Sequence, residues 1–118
     1  MTQLIVRAVD DSGTAWENPT QAVLQTILSD LSATHPFVVV ERHDRGPSNE
    51  YYMQVYLNDD RSHVVEFRDG DANRHYQALI PPQQEGVAPI AALIADWAYG
   101  GTQWQRALPW QQLRFPRS

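Results

Sequence analysis

EYYMQVYLNDDRSHVVEFRDGDANRHY, Glu50 to Tyr76, is the stretch that decides the fold. Apolar residues alternate in it with polar and aromatic ones, the period of strands that bury one face. Glu50–Leu57 reads as one strand, Asn58–Arg61 as a turn and Ser62–Arg68 as the next strand. Asp69-Gly70 opens another turn, and Arg74–Ile80 forms a third strand stopped by Pro81-Pro82. Each strand yields two sets of side chains. Tyr51, Met53, Val55 and Leu57 form the better core set of the first, leaving Tyr52, Gln54 and Tyr56 outward. In the second, His63, Val65 and Phe67 oppose Val64, Glu66 and Arg68. In the third, Arg74, Tyr76, Ala78 and Ile80 oppose His75, Gln77 and Leu79, and either set suits the core. If Tyr76, Ala78 and Ile80 are buried, His75 and Gln77 come beside Glu66 and Gln54.

Outward from this stretch, residues 3–9 predict a first strand ending at the turn-rich Asp10–Gly13. Asn18 has the chemistry of a helix N-cap, with Pro19 at the first helical position and Gln21 at capping-box spacing. Val23, Leu24, Ile27, Leu28 and Leu31 then recur at helical period, and Pro36 ends that helix at or before His35. Phe37–Glu41 is apolar on both faces, as an interior strand is. His43–Asn49 has loop composition. After a polar linker, Pro89 begins a second helix whose Ile90, Leu93, Ile94 and Trp97 share one stripe, with Gly100 or Gly101 as its C-terminal stop. The tail, Thr102–Phe115, holds Trp104, Leu108, Trp110 and Leu113 and predicts a short helical turn packed back on the domain.

The order is β-α-β-β-β-β-α plus a tail. The expected fold is α+β, a single two-layer domain over residues 1–118. An antiparallel sheet of about five strands carries two amphipathic helices on one face and leaves the other face open.

A chain of 118 residues with 42% hydrophobic and 19% charged residues suits one globular domain with its own core. The absence of cysteine excludes disulfides, cysteine-based zinc sites and thiol catalysis. The N-terminal apolar run is interrupted by Arg7 and Asp10, unlike a signal peptide, and no stretch has the length of a membrane span. These features predict a soluble cytoplasmic protein. A net charge of −5 argues against a nucleic-acid partner, because phosphate binding depends on a basic surface. All nine basic residues are Arg, as GC-rich codon usage produces, although the guanidinium fork also suits bidentate contacts with carboxylates.

No catalytic signature is present. His35, His43, His63 and His75 form no HxH, HxxxH or HExxH pattern, so neither a metal nor a cofactor is implied, and each His reads as a surface or strand-end residue. Asp69-Gly70-Asp71-Ala72-Asn73 has the acidic spacing of a calcium loop, but Arg74 stands where glycine is required and Ile80 where glutamate is, so it reads as a polar turn. Glu66, Glu50 or Glu41 with His75 would make a carboxylate–histidine pair only if the fold joins them. Trp97 belongs to the core stripe and Trp16 packs near the first helix's start. Trp104 and Trp110 either clamp the tail or form an exposed aromatic patch.

Tyr52-x-Gln54, Val65-Glu66-Phe67-Arg68-Asp69-Gly70, Arg74-His75-Tyr76, Ile94-Ala95-Asp96-Trp97-Ala98 and Trp104…Leu108-Pro109-Trp110 together resemble small uncharacterised proteins of high-GC actinobacteria, over residues 50–113. That resemblance implies no activity. The layout is also similar to Imm1-type immunity proteins of bacterial polymorphic-toxin systems, which implies a toxin as partner and supplies no site residues. The expected function is non-enzymatic protein binding through Tyr52, Gln54, Tyr56, Glu66, Arg68 and His75, with Gln77 beside them, because Tyr and Arg concentrate at energetically strong interfaces. The alternative is a small-molecule binder or small enzyme with Glu66 and His75 in a pocket between sheet and helices. A homodimer through the free sheet face is a third expectation.

Overall fold

The computed structural model describes residues 3–82 and 86–114. Parts of the polar linker after Pro82 and of the tail at Phe115 lie outside the described residues. The strands are β1 (Val6–Asp10), β2 (Ala15–Glu17), β3 (Phe37–Arg42), β4 (Tyr51–Leu57), β5 (His63–Asp69), β6 (His75–Ile80) and β7 (Gln111–Gln112). The helices are α1 (Gln21–Ser29), α2 (Ala88–Ala98) and α3 (Trp104–Ala107), with a 3₁₀ turn at Ala72–Arg74. The strands form one antiparallel sheet in the order β2-β1-β3-β4-β5-β6-β7. The α+β class and antiparallel sheet agree with the sequence reading; seven strands and three helices replace the expected five and two.

The two additional strands are short edges. β2 exists because Asp10 closes a tight turn: its carboxylate accepts N–H bonds from Ser12 and Thr14, both at 3.0 Å, and the chain doubles back on β1. Trp16 therefore sits in a strand ahead of the helix. Asn18 is not the helix cap. It adopts a left-handed φ of 47°, and its side-chain oxygen accepts from the N–H groups of Ile5 and Val6 at 2.8 and 3.0 Å. With Asn18 pinned to the strand, capping passes to Thr20, whose hydroxyl accepts from Val23 N–H at 3.2 Å. β7 forms where the tail, after α3, lays two glutamines against β6.

Register puts Val6, Ala8, Val38, Val40, Met53, Val55, Val65 and Phe67 on one sheet face, all buried. β6 takes the option with Tyr76 opposite Phe67 and Ala78 opposite Val65, so its core set is Tyr76, Ala78 and Ile80. α1 covers this face with Leu24, Ile27 and Leu28, and Leu31 joins them just beyond the helix end. α2 adds Ile90, Leu93, Ile94 and Trp97, the predicted stripe. Gly100, at φ 91°, takes the left-handed position after α2. Phe67 gathers the aromatic residues of the tail: Tyr76 stacks on it at 5.0 Å, while Trp104 and Trp110 meet it edge-on at 4.9 and 4.7 Å. Both tail indoles are half-buried and donate their N–H to backbone carbonyls, so they clamp the tail. Among the described residues, no helix is long and apolar enough to cross a membrane.

Candidate functional site

With both long helices on one face, the opposite face is organised by register into rows running across the strands. One row holds Glu17, Arg7, Glu41, Tyr52, Arg68 and His75. The next holds Gln54, Glu66, Gln77 and Gln111 on adjacent strands, continued by Val39 and Val9. A third holds Phe37, Tyr56, Val64 and Leu79. Each of the six predicted site residues lies on this face. Sequence alternation fixed which side each would occupy relative to its strand neighbours; cross-strand pairing then brought Arg68 opposite His75 and Glu66 opposite Gln77.

His75 departs from expectation, because it is buried at 3% exposure on the face without the long helices. Arg68 donates its Nε–H to His75 Nδ1 at 3.2 Å, and His75 Nε2 lies 3.1 Å from Glu66 Oε2. Because a guanidinium can only donate, Nδ1 is the acceptor and the imidazole proton sits on Nε2, directed at Glu66. Tyr52 closes the cluster, its ring edge-on to His75 at 6.0 Å and beneath the Arg68 guanidinium at 5.9 Å. The backbone carbonyl of His75 accepts Leu113 N–H from the tail at 2.8 Å. Burial pushes the Tyr52 hydroxyl above the ordinary phenol value, with Glu66 and Glu50 adding to the rise and Arg68 opposing it. Tyr52 therefore presents a neutral hydroxyl.

The cluster orients a carboxylate. Glu66 is held through one oxygen, and its other oxygen has no partner among the described residues. Both nitrogens of His75 are engaged, so the imidazole has no free position for proton transfer to a bound molecule. The expected placement of Glu66 and His75 in a pocket between sheet and helices is corrected: they meet, but on the opposite face, since the β6 register assigns Tyr76, Ala78 and Ile80 to the core. Arg68 is also tied to Glu50 at 3.8 Å, so it supports the sheet as well as facing outward. Tyr56 and Leu79 are the exposed large residues of the apolar row, at 40% and 58%. Beside them lies a hollow of about 450 Å³ lined by Val64, Gln77, Leu79, Pro109 and Gln111.

The Asp69–Asn73 segment is the polar turn its sequence suggested. Asp69 is engaged by Arg74 at 2.7 Å and Arg45 at 3.4 Å, and Asp71 accepts Asn73 N–H at 2.8 Å. Among the described residues, no group of three or more His, Asp or Glu side chains is arranged to hold a metal. His43 pairs with Glu41 at 2.9 Å and His35 with Asp11 at 3.3 Å. His63 is buried, contrary to its reading as a surface or strand-end residue. Its place in the core-facing set of β5 was the signal for that. No family model, curated protein or solved structure matches the chain.

Proposed function

We propose that this is a protein-binding domain that captures a basic partner on its helix-free sheet face, in the manner of an immunity protein holding its toxin. The observation that carries the reading is the juxtaposition on that face of an apolar row, exposed at Tyr56 and Leu79 and half-buried at Phe37 and Val64, with a Glu66 carboxylate oriented by His75 and flanked by Gln54 and Gln77. An apolar strip beside fixed polar groups is the anatomy of an interface: the strip supplies desolvated area and the polar groups set register. Glu66, with one oxygen unengaged, suits a partner's Arg or Lys, and a net charge of −5 favours encounter with a basic surface. The hollow beside Leu79 offers room for one anchoring side chain.

The test is affinity for a partner recovered from the native host, measured by calorimetry. Tyr56→Ala removes an exposed aromatic ring and should weaken capture by about 2 kcal/mol, the scale of an interface hot spot. Glu66→Gln retains an acceptor for His75 while deleting the charge, and should weaken capture with the thermal midpoint nearly unchanged. Recovery of no basic partner, or equal affinity of both variants, defeats the reading. A second copy of the chain is the competing occupant, and dimerisation in sedimentation at micromolar concentration that Tyr56→Ala abolishes would favour it.

A further inference from the structure

A cavity of about 270 Å³ lies on the other side of the sheet, where the start of β5 meets the end of α1 and the approach to α2. Leu28, Leu31, Leu57 and Val87 supply apolar walls, and His63 and Arg61 supply polar ones. His63 points to the core face, in register between Leu57 on β4 and Ile80 on β6. It is 9% exposed, and its Nδ1 is enclosed with no hydrogen-bond partner. No hydrogen bond engages its Nε2 among the described residues. Nδ1 is the enclosed nitrogen and Nε2 is not, so Nε2 is the one that a ligand in the cavity can reach.

An enclosed orphan N–H is less tolerated than an enclosed lone pair, so the favoured neutral tautomer carries its proton on Nε2. Burial pushes the imidazole pKa down, in keeping with that neutral form. Arg61 stands at the rim with a left-handed φ of 73°, a conformation that glycine or asparagine adopts more readily than arginine. Its turn is held by Asn58 and Ser62, and by the Asp60 carboxylate accepting Ser62 N–H at 2.9 Å. The Arg61 guanidinium makes no ion pair among the described residues, although Asp59 lines the neighbouring hollow with it. Ser29, also at the rim, commits its hydroxyl proton to the Gln25 carbonyl at 2.8 Å. The polar groups left are thus two unengaged donors, one of them cationic, and the Ser29 hydroxyl oxygen, which can still accept, above an apolar floor.

We propose that this cavity binds a small carboxylic acid with an apolar body, its carboxylate held by Arg61 and His63 and its hydrocarbon part against Leu28, Leu31, Leu57 and Val87. The size limits the ligand, because the cavity, at about 270 Å³, falls just below the roughly 300–1,000 Å³ typical of small-molecule sites. A rim whose one charged group is a guanidinium selects a carboxylate over an alcohol or an amine of equal length. This site is separate from the sheet face and stands or falls independently of it.

Titration calorimetry of the full chain with hexanoate, 1-hexanol and hexylamine tests the proposal. Hexanoate should bind saturably at one site and shift the imidazole resonances of His63, with the alcohol and the amine at least about tenfold weaker. Arg61→Gly suits the left-handed backbone and keeps the fold, which a thermal melt checks. It should weaken hexanoate about tenfold or more and bring it level with hexanol. His63→Leu should also weaken hexanoate. Equal binding of acid and alcohol by the wild type would reduce the cavity to an apolar void. Absence of saturation by hexanoate up to about 10 mM, or hexanoate affinity indifferent to both variants, would overturn the proposal.

Discussion

Two buried histidines on neighbouring strands differ in what surrounds them, and the difference sets their behaviour. His75 is hydrogen-bonded on both ring nitrogens, by Arg68 and Glu66, and acts as a strut that fixes a carboxylate. His63 is buried without such partners, so desolvation alone governs it and lowers its pKa from 6.5. A base whose pKa is depressed by folding binds fewer protons in the native state than in the unfolded one. Its contribution to stability is full above pH about 6.5 and is lost as pH falls through the lower folded value. Wild type should therefore lose stability relative to His63→Leu between pH 7 and 5, read as the difference in thermal midpoint across that range. A constant difference would mean that His63 does not titrate differently in the fold. The alternation in β5 made the inward direction of His63 legible; the lack of a partner for it was not, because partners come from α1 and the turn as much as from the strand.

Among the elements, those with a period were read correctly and those built by single contacts were not. Strands β4 to β6 and helix α2 carry period-2 or helical patterns and β3 a continuous apolar run, and their boundaries fall within a residue or two of expectation. The β1–β2 hairpin depends on Asp10 and Asn18 choosing backbone N–H groups several residues away, and a sequence window centred on Asn18 favours a helix cap instead. β7 has only two residues and no pattern of its own; β6 induces it. The junction of α2 with α3 is similarly contact-made. Asp96 accepts the N–H of Trp104 at 2.9 Å, and a methyl group at Gly101 would collide with that carboxylate. Gly101→Ala should therefore displace Asp96 and cost about 1–3 kcal/mol, the range for losing a charged hydrogen bond. The tryptophan emission should shift to the red as Trp104 and Trp110 lose their seat on Phe67. An unchanged melt and spectrum would show that Asp96 is not what fixes the tail.

At the scale of the molecule, one antiparallel sheet with its long helices on a single side separates two surfaces with different chemistry. The helix side closes over the core and leaves the small cavity at His63. The other side displays rows of charged, amide and apolar groups. If capture of a basic partner is steered by the net charge of −5, its association rate should fall steeply with added salt while dissociation changes little; stopped-flow mixing at about 0.02 and 0.5 M salt separates the two. An association rate indifferent to salt would remove charge from the account. The sequence by itself determined the α+β class, the inward and outward sets of β4 and β5, and the stripe of α2, because these follow from the local periods of strand and helix. It left the face of β6 open, since Tyr76, Ala78 and Ile80 compete evenly with His75, Gln77 and Leu79 within the strand. Only the tertiary structure settled that choice, by setting Tyr76 on Phe67 and His75 between Arg68 and Glu66. Period specifies that a side chain turns inward or outward; which groups meet it there depends on cross-strand register and on helices distant in sequence.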